Sequence, residues 1–203
     1  MSQRPFLLYA ALTPNGHPIT VFLEELKAIY PGIECEAMVS QNESNDRSRN
    51  NFIVFETSAV LLYLVQHYDK DLKFGFVPAK DPVEYSVLLQ WLLFSHGGLG
   101  PMQGQAVHFH RFVQEDMPYP KKRYHEETKR LYGVLEMRLL DRDYLAGPGR
   151  GHYTIAVVKA WPWCHAAAAI ATLDEWPNVK AWLKSCLDRP GTELGTKVLN
   201  PST

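Results

Sequence analysis

Residues 38–64 read MVSQNESNDRSRNNFIVFETSAVLLYL, and this stretch decides how much sheet the chain can build. It leaves an alternating segment at Val39, crosses a polar string from Ser40 to Asn51, and returns to apolar residues at Phe52 to Phe55. Phe52 to Phe55 reads as a strand. A helical pattern carrying Leu61, Leu62, Leu64, Val65 and Tyr68 follows at once, with Thr57 or Ser58 as its expected cap. The polar string has the length of an ordinary connector and no room for a further buried helix and strand.

Upstream, Phe6 to Ala11 is a continuous apolar run, expected as a strand covered on both faces. Thr13-Pro14-Asn15-Gly16 is a turn sequence. Ile19, Phe22, Leu23 and Leu26 then recur at helical spacing until Pro31-Gly32 stops them. Ile33, Cys35 and Ala37 alternate with Glu34 and Glu36, the pattern of a half-buried strand. The first part is thus a β-α-β unit extended by a further strand and a helix.

Downstream, the polar connection from Asp69 to Pro78 marks a boundary between units at 1–74 and 81–203. Asp81-Pro82-Val83-Glu84 resembles a capping box with Pro at the first helical position. That helix carries Val87, Leu88, Trp91 and Leu92, and Gly97-Gly98-Leu99-Gly100-Pro101 is expected to break or kink it. Lys121 to Leu140 presents Tyr124, Leu131, Leu135 and Leu139 on one face. Thr154 opens an apolar helix through Ala171 with Pro162 inside it, and Pro177 to Leu187 reads as the last helix. The fold class is α/β plus all-α.

A chain of 203 residues that is 46% hydrophobic can bury a proper core. Its formal net charge of -1 gives no basic face for nucleic acid. Cys35, Cys164 and Cys186 show no paired spacing, which argues against a disulfide framework or a zinc site and for a reducing compartment. The apolar start is read as a strand rather than a signal core, and no run is long enough to span a membrane. His108 and His110 are two residues apart, the wrong spacing for two ligands on one helix face, so no metal site is expected.

Two places can carry chemistry. Thr13 and Asn15 lie between the first strand and the first helix, where ligands meet an open α/β sheet, although Pro-Asn-Gly also serves as a plain turn. Glu56-Thr57 sits at a strand-to-helix turn, where helix N–H groups can receive a carboxylate and Glu56 an ammonium, or where it simply caps the helix. Tyr9 lies inside the apolar first strand and reads as core packing, with a polar role for its hydroxyl as the rival. Trp161 and Trp163 read as core.

Four ordered blocks carry a resemblance that the pattern alone does not. They are Leu12-Thr13-Pro14-Asn15-Gly16-His17, Phe55-Glu56-Thr57-Ser58-Ala59, Gly97-Gly98-Leu99-Gly100-Pro101-Met102-Gln103-Gly104-Gln105 and Ala160-Trp161-Pro162-Trp163. The chain resembles the cytosolic glutathione transferases, in particular the fungal group similar to the yeast nitrogen-regulator protein. The resemblance implies a glutathione transferase fold: a thioredoxin-like N-terminal domain, here shortened at 40–51 where relatives carry a helix and a cis-proline strand, and a helical C-terminal domain. It implies glutathione as cofactor, a homodimer and a cytoplasmic location, with neither nucleic acid nor membrane as partner.

By the same resemblance, Asn15 and Thr13 hold the glutathione sulfur, while Glu56, Thr57, His17 and Arg111 bind the rest of the tripeptide. Trp91, Phe94, His96, Met102, Gln105 and His108 would form an apolar electrophile pocket. The expected reaction is addition of the thiolate to a conjugated small molecule. It ends in conjugation or, after rotation and elimination, in cis/trans isomerisation, as in fungal secondary metabolism. A non-catalytic binding or regulatory protein is the alternative. Two departures stand out: Ser95-His96 where relatives often have Gln-Met, and Val157 where an Asp normally completes the capping box begun at Thr154.

Overall fold

The computed structural model describes residues 6–39, 53–169 and 172–200. The polar string and the supposed cis-proline gap at 40–51 lie outside the described residues, as does Phe52. β1 (Phe6–Ala10) and β2 (Cys35–Val39) pair in parallel, Phe6 opposite Cys35 and Ala10 opposite Val39. α1 (His17–Ile29) makes the crossover between them, as a parallel pair requires. α2 (Thr57–Tyr68) completes the N-terminal part.

Two expectations about this sheet are corrected. Ile53 to Phe55 form no strand, and Ile53 and Phe55 are exposed, because among the described residues the sheet has only two strands and offers them no ladder. β1 is covered on one face rather than two: Leu8 packs on the core, whereas Leu7 and Tyr9 stand out into solvent. Tyr9 is therefore not a core residue.

The remainder is helical. α3 (Pro82–Leu93) runs into a π-helical turn at Phe94–Leu99, which leads without a loop into α4 (Gly100–Arg111). The glycine run thus widens the helix for one turn instead of breaking it. α5 (Pro118–Leu139) begins earlier than its apolar stripe suggests, since Pro118 is compatible with the first turn. α6 (Ile155–His165) ends well before Ala171, passing into a 3-10 turn at Ala166–Ala169. α7 (Pro177–Leu187) is followed by α8 (Pro190–Leu199), a helix the sequence reading lacks. Asp81 makes no side-chain cap, so the capping box expected there is absent, and Thr154, whose box lacks its Asp at Val157, makes none either.

α6 is the spine of the molecule. Its residues from Ile155 to Cys164 are all buried, including the charged Lys159. The Gln103 amide donates to the Trp163 carbonyl at 2.8 Å, and the Tyr132 hydroxyl donates to Gln103 Oε1 at 2.7 Å. This satisfied buried network joins α4, α5 and α6. Buried Asp69, at the end of α2, accepts from the Lys73 and Phe74 N–H groups and from the Tyr30 hydroxyl. The Phe74 carbonyl then accepts from Ile155 N–H at 3.0 Å, which ties the start of α6 to the N-terminal part. Glu136 on α5 accepts from the Asn178 and Val179 N–H groups and so completes the N-terminus of α7.

Candidate functional site

The connection from β1 to α1 is tightly set. Thr13 accepts the Gly16 N–H through its carbonyl at 2.9 Å and its hydroxyl at 3.3 Å. A Cβ at Gly16 would lie 2.1 Å from the Ala11 carbonyl oxygen, so only glycine lets the chain turn here. The turn leaves Asn15 exposed at the head of α1.

Three elements meet at Asn15. From α2, the Thr57 hydroxyl donates to the Asn15 carbonyl at 3.1 Å. From α6, the Lys159 ammonium donates to Asn15 Oδ1 at 2.8 Å. Burial pushes the Lys159 ammonium down to about 8, with the field of nearby Glu56 opposing that fall.

Glu56 precedes α2 with φ 70° and ψ 117°, a backbone conformation unusual for a residue with a side chain. Such a conformation costs about 1–3 kcal/mol and persists where the surroundings impose it. Its carboxylate is largely exposed and lies 3.4 Å from His96 Nε2. Among the described residues no side-chain hydrogen bond caps α2, so the first-turn N–H groups that follow Glu56 are left without a side-chain cap. Thr57 and Ser58 thus do not act as the expected cap: Thr57 turns to Asn15, and Ser58 Oγ sits 3.0 Å from His96 Nδ1. His96, on the π-helical turn, is thereby the link from the helical part to the start of α2.

The arrangement can hold a zwitterionic ligand. Uncapped N–H groups and the helix dipole suit a carboxylate, Glu56 suits an ammonium, and the Asn15 amide offers a donor next to both.

The other expected site residues are placed elsewhere. His17 is half-buried and lines a cavity of about 330 Å³ with Leu12, Trp161, His165 and Thr192. Burial, and then the nearby His165, lower its pKa. Trp91 meets Phe94 edge-on at 5.3 Å between ring centroids and carries the Arg138 guanidinium on its face. Met102 is partly buried against the core, and Gln105 is exposed. His108 is exposed and packs against Phe109 and Phe112. Arg111 ends α4, exposed, where a cation suits the helix dipole. Among the described residues, no hydrogen bond or ion pair joins Arg111, Met102, Gln105 or His108 to the Asn15–Glu56 cluster, and no group of three His, Cys, Asp or Glu side chains could hold a metal.

Two participants escaped the sequence reading. Ser58 reads from sequence only as a cap. Lys159 carried a signal that could have found it: it is the one charge in the apolar run from Tyr153 to Cys164.

Comparison with known proteins shows the family. The chain is 35% identical to the disulfide-bond oxidoreductase YfcG of Escherichia coli, over 91% of both proteins. Residues 99–190 match the family model described as glutathione S-transferase, C-terminal domain. The chain belongs to the glutathione S-transferase superfamily. Within it, similarity extends to the glutathione S-transferase-like protein tpcF of Aspergillus fumigatus, 31% identical over 98% of both chains. Proteins named URE2 from several yeasts also match, at 27–32% identity over 87% of this chain and 63–65% of their own length. Among solved structures, the glutathione transferase URE2P6 of Phanerochaete chrysosporium, crystallised with oxidised glutathione, superposes with a TM-score of 0.83 at 30% identity, covering 98% of each chain. A glutathione transferase homologue from Lodderomyces elongisporus, with two glutathione molecules per subunit, gives the same TM-score at 30% identity over 97% of this chain and 99% of that one. The glutathione transferase fold is that of the superfamily: a thioredoxin-like N-terminal part and a helical C-terminal part.

Proposed function

We propose that this protein binds glutathione at the Asn15–Glu56–Ser58 cluster and promotes attack of its thiolate on an electrophilic, apolar, conjugated small molecule. Residues 1–74 hold the tripeptide and residues 81–203 shape the electrophile pocket. The observation that carries the reading is the convergence at one place of an exposed carboxylate, an uncapped helix N-terminus and a fixed carboxamide.

These groups fit the ligand. Glu56 pairs with the γ-glutamyl ammonium, and the N–H groups of Thr57 and Ser58 receive the γ-glutamyl carboxylate. Thr57 orients the Asn15 backbone. The Asn15 amide donates to the sulfur, assisted by Thr13, and lowers the cost of the thiolate. Glutathione supplies the nucleophilic sulfur. Release of the adduct makes the reaction a conjugation, and expulsion of the thiolate after bond rotation makes it a cis/trans isomerisation. A substrate from fungal secondary metabolism is part of this proposal. Exposed apolar side chains at Phe55, Val83, Leu93 and Phe112 support a homodimer.

One observation favours a non-catalytic binding protein instead: His96 already approaches both Glu56 and Ser58, two of the groups a ligand would use. The test is incubation with glutathione and a panel of conjugated enones and cis-olefins, followed by mass spectrometry for adducts and NMR for double-bond geometry. Turnover that disappears in Asn15→Ala supports the enzyme. Glutathione binding without turnover of any member turns the reading to a regulatory protein.

A further inference from the structure

Lys159 is the chemically odd residue of this fold. It is 2% exposed, in the middle of the helix that forms the core. Among the described residues no carboxylate lies within ion-pair distance of its ammonium, and its hydrogen bond goes to a neutral amide oxygen, Asn15 Oδ1. A buried cation without an adjacent anion is costly, and it strongly favours any arrangement that brings negative charge near it. Glu56 is the carboxylate whose field reaches the ammonium, and that carboxylate points out towards His96 and solvent.

The hydrogen bond also settles a choice that an asparagine otherwise leaves open. An ammonium has three donors and no acceptor, so the atom of the carboxamide facing it must be the oxygen. The Asn15 Nδ2 hydrogens are then directed away from Lys159, towards the exposed side of the turn. A cation on the oxygen side also polarises the amide and strengthens its N–H groups as donors.

We propose that Lys159 is a positioning residue for the reacting thiol: it locks the Asn15 carboxamide with Oδ1 inward, so that Nδ2 donates to the substrate sulfur and the buried ammonium supplies the charge that keeps that sulfur a thiolate. This rests on the glutathione reading of the same cluster. No covalent step involves Lys159. Loss of the ammonium frees the amide to flip, and a flipped Oδ1 would repel the thiolate that Nδ2 attracts.

The test compares wild type with Lys159→Met, which keeps the length and burial of the side chain without its charge. The thiol of bound glutathione is titrated by its thiolate ultraviolet absorbance, and affinities are measured for glutathione and for S-methylglutathione, whose sulfur cannot ionise. In Lys159→Met the bound thiol should titrate at least about one pH unit higher, leaving roughly tenfold less thiolate near neutrality. Affinity for S-methylglutathione should stay within about twofold, well under the tenfold step that 1.4 kcal/mol represents. An unchanged thiol titration overturns the proposal, as does a parallel loss of both affinities, which would show a merely structural lysine.

A measurement on wild type needs no variant to fold. The Lys159 ammonium, followed by heteronuclear NMR, should hold its proton to higher pH with glutathione bound and not with S-methylglutathione. Equal response to both ligands overturns the proposal and leaves the binding site standing. Binding of neither ligand overturns the glutathione reading and this proposal together.

Discussion

His96 Nδ1 lies 3.0 Å from Ser58 Oγ, so a side chain of the helical part reaches the first turn of α2. The same ring approaches Glu56 through Nε2 at 3.4 Å. The hydrogen bond is partly buried and contributes about 1 kcal/mol, while the exposed contact with Glu56 adds little. His96→Ala should therefore lower the melting temperature by about 2–4 °C, read by calorimetry. No change would mean that water replaces the imidazole without loss.

Glu56 combines an unfavourable backbone with a useful carboxylate, and two variants separate them. Glu56→Gly removes the strain of φ 70° and should gain up to about 1 kcal/mol of stability, offset by glycine's greater chain entropy. Glu56→Gln keeps the strain and removes the charge. Both should weaken glutathione binding, by about fivefold for the loss of one exposed ion pair worth roughly 1 kcal/mol. Isothermal titration gives the affinities and thermal unfolding the stabilities.

Lys159 makes stability depend on pH in a defined window. Its folded value of about 8 lies below the ordinary 10.5, so between those values the unfolded chain binds more protons and stability rises with pH. The penalty of burying the ammonium is present in full below about pH 8 and is relieved towards 10.5. Its size is on the order of 3 kcal/mol. Lys159→Met should thus be more stable than wild type at neutral pH, and the gap should close above pH 8. A gap that stays constant from pH 7 to 10 would contradict the buried charge.

Glu25 and Arg189 form a two-point ion pair at 2.7 and 2.6 Å between α1 and the start of α8, with the guanidinium 3.7 Å from the centre of the Tyr153 ring. Removing one partner leaves a poorly solvated charge, so Glu25→Ala should cost about 3–5 kcal/mol. Chemical denaturation measures this directly. A loss below 1 kcal/mol would mean that Arg189 finds solvent once released.

The protein's own thiols predict a simple chemical result. Burial pushes Cys164 up to about 12 and Cys186 higher still, whereas Cys35 is half-buried. A thiol reagent should leave Cys164 and Cys186 unmodified in the native protein and label both only after unfolding, as mass spectrometry would show. Rapid native labelling of Cys164 or Cys186 would bring a protein thiol into the chemistry.

Much of this fold could be read from residue spacing. Ile19, Phe22, Leu23 and Leu26 mark α1 because one face of it is buried, and all four are in the core. The blocks around Asn15 and Glu56 carry the likeness to the superfamily in their residues alone. Other features depend on contacts that spacing does not encode. Ile53 to Phe55 have strand-forming residues, yet a strand needs a neighbour, and the described sheet provides none. The glycine run at 97–100 looks like a break, but a π-helical turn keeps its backbone bonded. The helix pattern ends at Leu187, yet Pro190 starts α8, and a Cβ at Gly191 would press on the Glu25 side chain at 2.7 Å. Lys159 is legible only as the one charge in an apolar run, because a lone lysine in such a helix ordinarily marks an exposed face and its bond to Asn15 depends on the fold.

The measurement that bears most directly on the central claim is thermal unfolding of the protein with glutathione, with S-methylglutathione, and with neither. A ligand present at a hundred times its dissociation constant adds about 2.7 kcal/mol, which raises the melting temperature by several degrees. The Asn15–Glu56–Ser58 site predicts that rise with both ligands and its reduction in Glu56→Gln. No rise at millimolar concentrations of either ligand would mean that these residues do not form a glutathione site.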